Sequence, residues 1–341
     1  MDEIAETARQ VIDIKQSNHP TMSIYPIIYK ELQGCPRFIF DDAAIETAVE
    51  LTLGRPKILL EAMKNLKIPY PKLWIEWPES GRERLREIFT INEKTIDPGR
   101  PLPSKVGFLL ETDANGRKGV VYWAWNIPED KITKEIKFNP PNICPISPYF
   151  DLDKDFPQDK ATLSSFITAN LCNLWKDNDI QQEALLGIWR TANHVPSHWG
   201  QTYLTSICGN NKEKWFHALN NFYADVYGEY IMIWSILLLL TSSKKIIEEV
   251  GVDLSHLNKA RTKRNQVPKF NYTKINMYID KSAQHVKFIK GPLGYTRKSP
   301  RIHLVSSYLG RRGDKHWVVQ PFWRGEGEVI SRHVHVHDKQ K

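Results

Sequence analysis

Between Ser299 and Gly325 the sequence runs SPRIHLVSSYLGRRGDKHWVVQPFWRG, gathering His303, His316, Arg301, Arg311, Arg312, Lys315 and Arg324 around Trp317 and Trp323. Lysine and arginine neutralise phosphates, and exposed aromatic faces stack on unpaired bases, so this mixture suits RNA or single-stranded DNA. Trp317 and Trp323 have the same strand parity, so an unbroken strand puts both on one face. That face is either a stacking platform or the inside of a sheet. The same residue types also meet the needs of metal-independent RNA cleavage. A general base, a general acid and cations for the developing phosphorane charge would come from His303, His316 and the neighbouring arginines and Lys315.

Other clusters carry less. His333, His335 and His337 alternate in RHVHVH and would project from one strand face. No acidic partner completes a metal set there, and an edge strand in solvent is the simpler reading. In TANHVPSHWG, His194 and His198 are four apart, but Pro196 breaks any shared helix and no HExxH is present. Asp151, Asp153 and Asp155 lack the glycine and terminal glutamate of a calcium loop, which predicts a solvated loop. There is no P-loop, no GxGxxG after a strand and no GxSxG elbow, so the sequence predicts no cofactor and no bound metal.

These groups need elements to hold them. Residues 1–150 read as helices followed by a small antiparallel sheet. Asp41-Asp42 caps a helix that stops at Gly54, and Pro56 opens another. Leu73, Ile75 and Trp77 alternate in KLWIEW, while VGFLLET and VVYWAW flank Asn115-Gly116, the pair favoured in a type I′ hairpin turn. Residues 151–257 have helical spacing throughout, with Tyr230–Leu240 at the centre of a bundle. Residues 258–271 form a cationic, exposed connector, and 272–341 return to period two as a basic β-meander or half-barrel. The fold class expected is α+β.

Composition sharpens the division. Over 341 residues the net charge is +8, but residues 255–341 hold 19 Lys+Arg against 5 Asp+Glu, and residues 1–254 hold 28 against 34. The basic part can attract polyanions. The four cysteines lie far apart with no CxxC pair, which favours free thiols in a reducing compartment. No cationic segment followed by an apolar one marks the N-terminus as a secretion signal, and the apolar run Tyr230–Leu240 spans about half of the roughly 20 residues a bilayer needs. A cytoplasmic protein without membrane contact is expected.

The segment from about Ile231 onward resembles the C-terminal half of a group of uncharacterised bacteriophage and prophage proteins. In that group an apolar helix leads into a VDLSxLNxARxKRxxPP connector and then a SPRxHxVRGHxRRxxGxxxWVxPxWRG domain. Here those elements stand as Val252-Asp253-Leu254-Ser255, Trp317-Val318 with Pro321, and Trp323-Arg324-Gly325. The stretch PYPKLWIEWP and the later VGFLLE are similar to the group's N-terminal sheet. Where the group has Arg-Gly-His, this chain has Ser306-Ser307-Tyr308. The resemblance implies a phage-encoded protein of the host cytoplasm and supplies no activity. Residues and resemblance together lead to the expectation of nucleic-acid binding through the basic β-domain, with docking on a host or phage protein as the alternative and ribonuclease activity third.

Overall fold

The computed structural model describes residues 1–13, 22–54, 56–78, 80, 104–126, 141–156, 179–241, 247–277, 303–305, 308–312, 315–319 and 322–324. They form an α+β fold around a mixed nine-stranded sheet.

The centre of that sheet is a strand the sequence pattern did not disclose. β1 (Arg37–Phe40) is four residues long and pairs in parallel on both sides, with β2 (Lys72–Pro78) and with β9 (Tyr272–Met277). From β2 the sheet continues antiparallel through β3 (Lys105–Thr112), β4 (Lys118–Asn126), β6 (Tyr149–Asp151) and β7 (Ala192–Asn193), with β5 (Asn142–Ile143) also on β4. On the other side β8 (Ile247–Val252) closes antiparallel against β9. The expected boundary at 272 is therefore corrected: β9 belongs to the main sheet, paired to a strand more than 230 residues earlier.

The β3–β4 hairpin forms where Asn115-Gly116 signalled it, with a different turn. Gly116 has φ +66°, whereas Asn115 stays out of the left-handed region. Gly116 N–H donates to Asp113 O at 3.0 Å, and the Asp113 carboxylate accepts from the Arg117 and Lys118 amides at 2.9 and 3.1 Å. This is a type I turn followed by a left-handed glycine, stabilised by an aspartate that a two-residue I′ loop would not use.

Both faces of the sheet are covered. Leu73, Ile75 and Trp77 of β2 join Phe108, Leu110, Val121 and Trp123 in the larger core, against α3 (Asp42–Gly54), α4 (Pro56–Met63), α5 (Asp179–Trp189) and α7 (Lys212–Leu240). Asp41 caps α3, accepting from Ala44 N–H at 2.8 Å. The apolar run of α7 is buried as expected, with Trp234 against Phe150 of β6 at 5.2 Å. Its partners correct the bundle reading. α3 lies along α7 and α4 along α5, so these helices form one layer on the sheet. α7 is long and apolar enough to cross a membrane, yet 81% of that stretch is buried inside the protein. α6 (His198–Cys208) packs beside it, capped by Ser197.

On the second face, α1 (Asp2–Asp13) and α2 (Ile24–Leu32) cover Trp74, Leu109 and Ala124. A buried ion cluster sits there. Arg37 donates to Glu76 at 2.6 Å and to Asp2 at 3.0 Å, and Trp74 Nε1 donates to Glu76 at 2.7 Å. The expected connector, residues 258–271, holds the end of α8 (Ser255–Lys263), which buries none of its residues, followed by a fastened loop. In that loop Asn258 both donates to Lys269 O and accepts from Lys269 N–H, each at 2.7 Å.

Candidate nucleic-acid interface

The terminal basic segment is described as four short strands in nested pairs. β10 (His303–Val305) pairs antiparallel with β13 (Phe322–Arg324), and β11 (Tyr308–Arg312) with β12 (Lys315–Val319). The two ladders share one register. Three steps along each chain from Val305↔Phe322 lead to Tyr308↔Val319, and the inner pair ends at Arg312↔Lys315 across a two-residue connection. These two antiparallel pairs are the described part of the basic ribbon. The strand candidates His285–Ile289 and Val329–His337, including His333, His335 and His337, lie outside the described residues, as does Arg301.

Alternation divides the inner hairpin into two faces. Leu309 and Val318 pair directly, are 1% and 6% exposed, and enter the larger core against α3 and α4. Arg311 and His316 have the same parity. Arg311 forms an ion pair with Glu61 of α4, and the His316 ring is tucked in with Nε2 4.0 Å from the same carboxylate. Neither His316 nitrogen has a hydrogen-bond partner among the described residues.

The opposite face is cationic and aromatic. Arg312 and Lys315 are exposed and directly paired, and Trp317 is 46% exposed. Trp317 stands across from Gly310, and a Cβ built there would lie 2.5 Å from indole Cε2 and 2.6 Å from Nε1. The indole is thus laid over the glycine, one side against backbone and the other toward solvent. Of the two orientations left open for this ring, the structure has the outward one. Trp323, His303 and Arg324 are described by their pairing only, Leu304↔Trp323 and His303↔Arg324.

The ribbon does not unite the acid–base candidates. His303 is opposite Arg324 in one ladder and His316 opposite Arg311 in the other, and no described contact joins the two histidines.

The remaining candidate groups are structural. His194 is stacked on Trp189 at 3.3 Å, and burial pushes its imidazole down to about 3, against the opposing hydrogen bond between Nε2 and Trp189 O at 3.0 Å. Asp151, expected in a solvated loop, is instead buried in β6 and pairs with Lys118 at 3.0 Å, while Asp153 bonds Arg117 Nε at 3.0 Å. Among the described residues no cluster of three or more His, Cys, Asp or Glu could hold a metal.

Sequence reasoning missed Arg37 and Glu76. The available signal was Glu76 itself, a carboxylate between Trp74 and Trp77 in an otherwise apolar strand. Compared with known proteins, the chain matches no family model, no curated protein and no solved structure.

Proposed function

We propose that this is a nucleic-acid-binding protein of phage origin acting in the host cytoplasm, and that the terminal β-ribbon is its basic binding module. One observation carries the reading: Trp317, Arg312 and Lys315 share the exposed face of the inner hairpin. A half-open indole offers a base a flat partner, and the flanking cations neutralise the phosphates on either side. This combination is tolerant of sequence and favours unpaired RNA or DNA over a duplex, whose bases are already stacked.

The test is a mobility-shift or anisotropy titration with single-stranded RNA and DNA across a salt series. Trp317→Ala should weaken binding by about 1–3 kcal/mol. Replacing Arg312 and Lys315 together by Gln should reduce the salt slope by about 1.4, from two phosphates at about 0.7 each. Arg311→Ala should barely alter that slope, because Glu61 already neutralises its charge. Absence of binding at low salt, or indifference to Trp317→Ala, would refute the reading.

A second reading, docking on a host or phage protein, is supported by Ile207 on α6 and Phe216 near the start of α7, 47% and 56% exposed. Single exposed apolar residues are common on monomers, which leaves the ribbon as the stronger basis.

A further inference from the structure

Beyond the cover of α1 and α2, the surfaces of β1 and β9 form the bottom of a cleft of about 520 Å³, open to solvent and bounded by the start of α8. That volume falls in the range of small-molecule sites. The residues lining it are ordered by the parallel pairing of β1 and β9. Lys269 precedes β9, and Tyr272 opens that strand beside Arg37, whose guanidinium carbon stands 5.5 Å from the Tyr272 ring centre. Two steps further, Lys274 is level with Ile39. Asp41 and Asp42 follow β1 at the far end, where Asp41 N–H donates to Ile275 O at 3.0 Å. From Tyr272 to the level of Asp41 is about four strand steps, or roughly 13 Å.

The cleft is lined by charges of both signs. Arg37 is compensated within the protein by Glu76 and Asp2, and its side chain is 4% exposed, with Nε lacking an acceptor among the described residues. It forms a fixed wall. Lys269 and Lys274 have no ion pair within 4 Å among the described residues, although the Lys274 charge acts at longer range on the Asp41 carboxylate, and the clasp of Asn258 on the Lys269 backbone fixes where that side chain begins. At the other end the Asp41 carboxylate accepts from Ala44 N–H, and Asp42 accepts from Ser80 Oγ at 2.9 Å. Each carboxylate retains acceptor capacity, since an ionised carboxylate has about four lone-pair sites. A matching ligand is anionic at one end and rich in hydroxyl donors at the other. Ammonium groups on flexible stems suit a phosphate as point charges, and adjacent carboxylates suit a pair of hydroxyls.

We propose that this cleft binds a small phosphorylated sugar, its phosphate between Lys269 and Lys274 and its hydroxyls donating to Asp41 and Asp42. The site is independent of the ribbon reading and survives its failure.

Calorimetric titration of the full chain with ribose 5-phosphate, glucose 6-phosphate and glycerol 3-phosphate tests it, with inorganic phosphate and free ribose as controls. At least one sugar phosphate should bind with Kd below about 1 mM, at least tenfold tighter than either control. Lys274→Met and Asp42→Asn should each weaken it about tenfold, while Trp317→Ala should leave it unchanged. Circular dichroism of the variants verifies that they fold, and Lys269→Met replaces any that does not. The proposal is overturned if none of the three ligands binds, if inorganic phosphate binds as tightly as they do, or if the folded variants bind as the parent does.

Discussion

Replacing Glu76 by Gln should remove a buried charge on which Arg37 depends. Glu76 is 8% exposed at its side chain, and burial alone would raise its pKa. The Met1 amino group, the Arg37 guanidinium and the bonds from Arg37 and Trp74 outweigh burial and hold the carboxyl at about 2, against an ordinary 4.5. A depression of that size corresponds to about 3 kcal/mol of native stability at neutral pH. The sign follows from the direction: the contribution is complete above the unfolded value of 4.5 and disappears as pH falls through about 2. Glu76→Gln preserves shape and one acceptor but leaves buried Arg37 with the partly exposed Asp2 as its one carboxylate partner, an independent reason to expect a loss of similar size. Urea unfolding of both proteins at pH 7 should differ by about 3 kcal/mol, and at pH 3 the gap should shrink to roughly half. Pairing Glu76→Leu with Arg37→Met should recover only part of the loss, because the guanidinium is no longer stranded but the buried Met1 amino group still loses its partner. Equal stability at pH 7, or a gap constant between pH 3 and 7, would refute the argument.

Three further perturbations address separate parts of the fold. Gly310→Ala brings a methyl against the Trp317 indole and should displace it, reducing single-strand affinity by about 1–3 kcal/mol while the urea midpoint moves little. Gly116→Ala meets both a positive φ and the Ile68 carbonyl oxygen 2.2 Å from the new Cβ, and should cost about 2 kcal/mol or more by denaturant titration. Trp234→Ala empties a fully buried site between α7 and β6 and should cost about 3–5 kcal/mol on the same measurement.

Elements whose periodicity is imposed by a core were legible from the chain itself. β2, β3, β4, the Asp41 cap and the buried run of α7 all stand where spacing put them, because each presents an apolar pattern long enough to read. β1 was not, for a physical reason. RFIF is four residues long, and a short strand paired on both sides gains its stability from neighbours distant in sequence. The same reason hid the role of β9: its basic surroundings resemble the terminal segment, but its partner is Phe38–Phe40. In the ribbon, composition gathered Arg312, Lys315 and Trp317 but did not separate Arg311 and His316 from them. That separation depends on Glu61, which lies 250 residues away in the chain.

The central position of β1 also has consequences during synthesis. Its β9 partner is translated some 235 residues later, counting from Ile39 to Lys274. At about 5–20 residues per second, one flank of β1 waits on the order of 10–50 s with its amide and carbonyl groups unclaimed. Such an edge invites pairing with another nascent chain, and late closure of a long-range parallel ladder is slow. Ribosome-bound chains truncated before Tyr272 should therefore be the aggregation-prone species, and a chaperone that shields strand edges would be needed most in that interval.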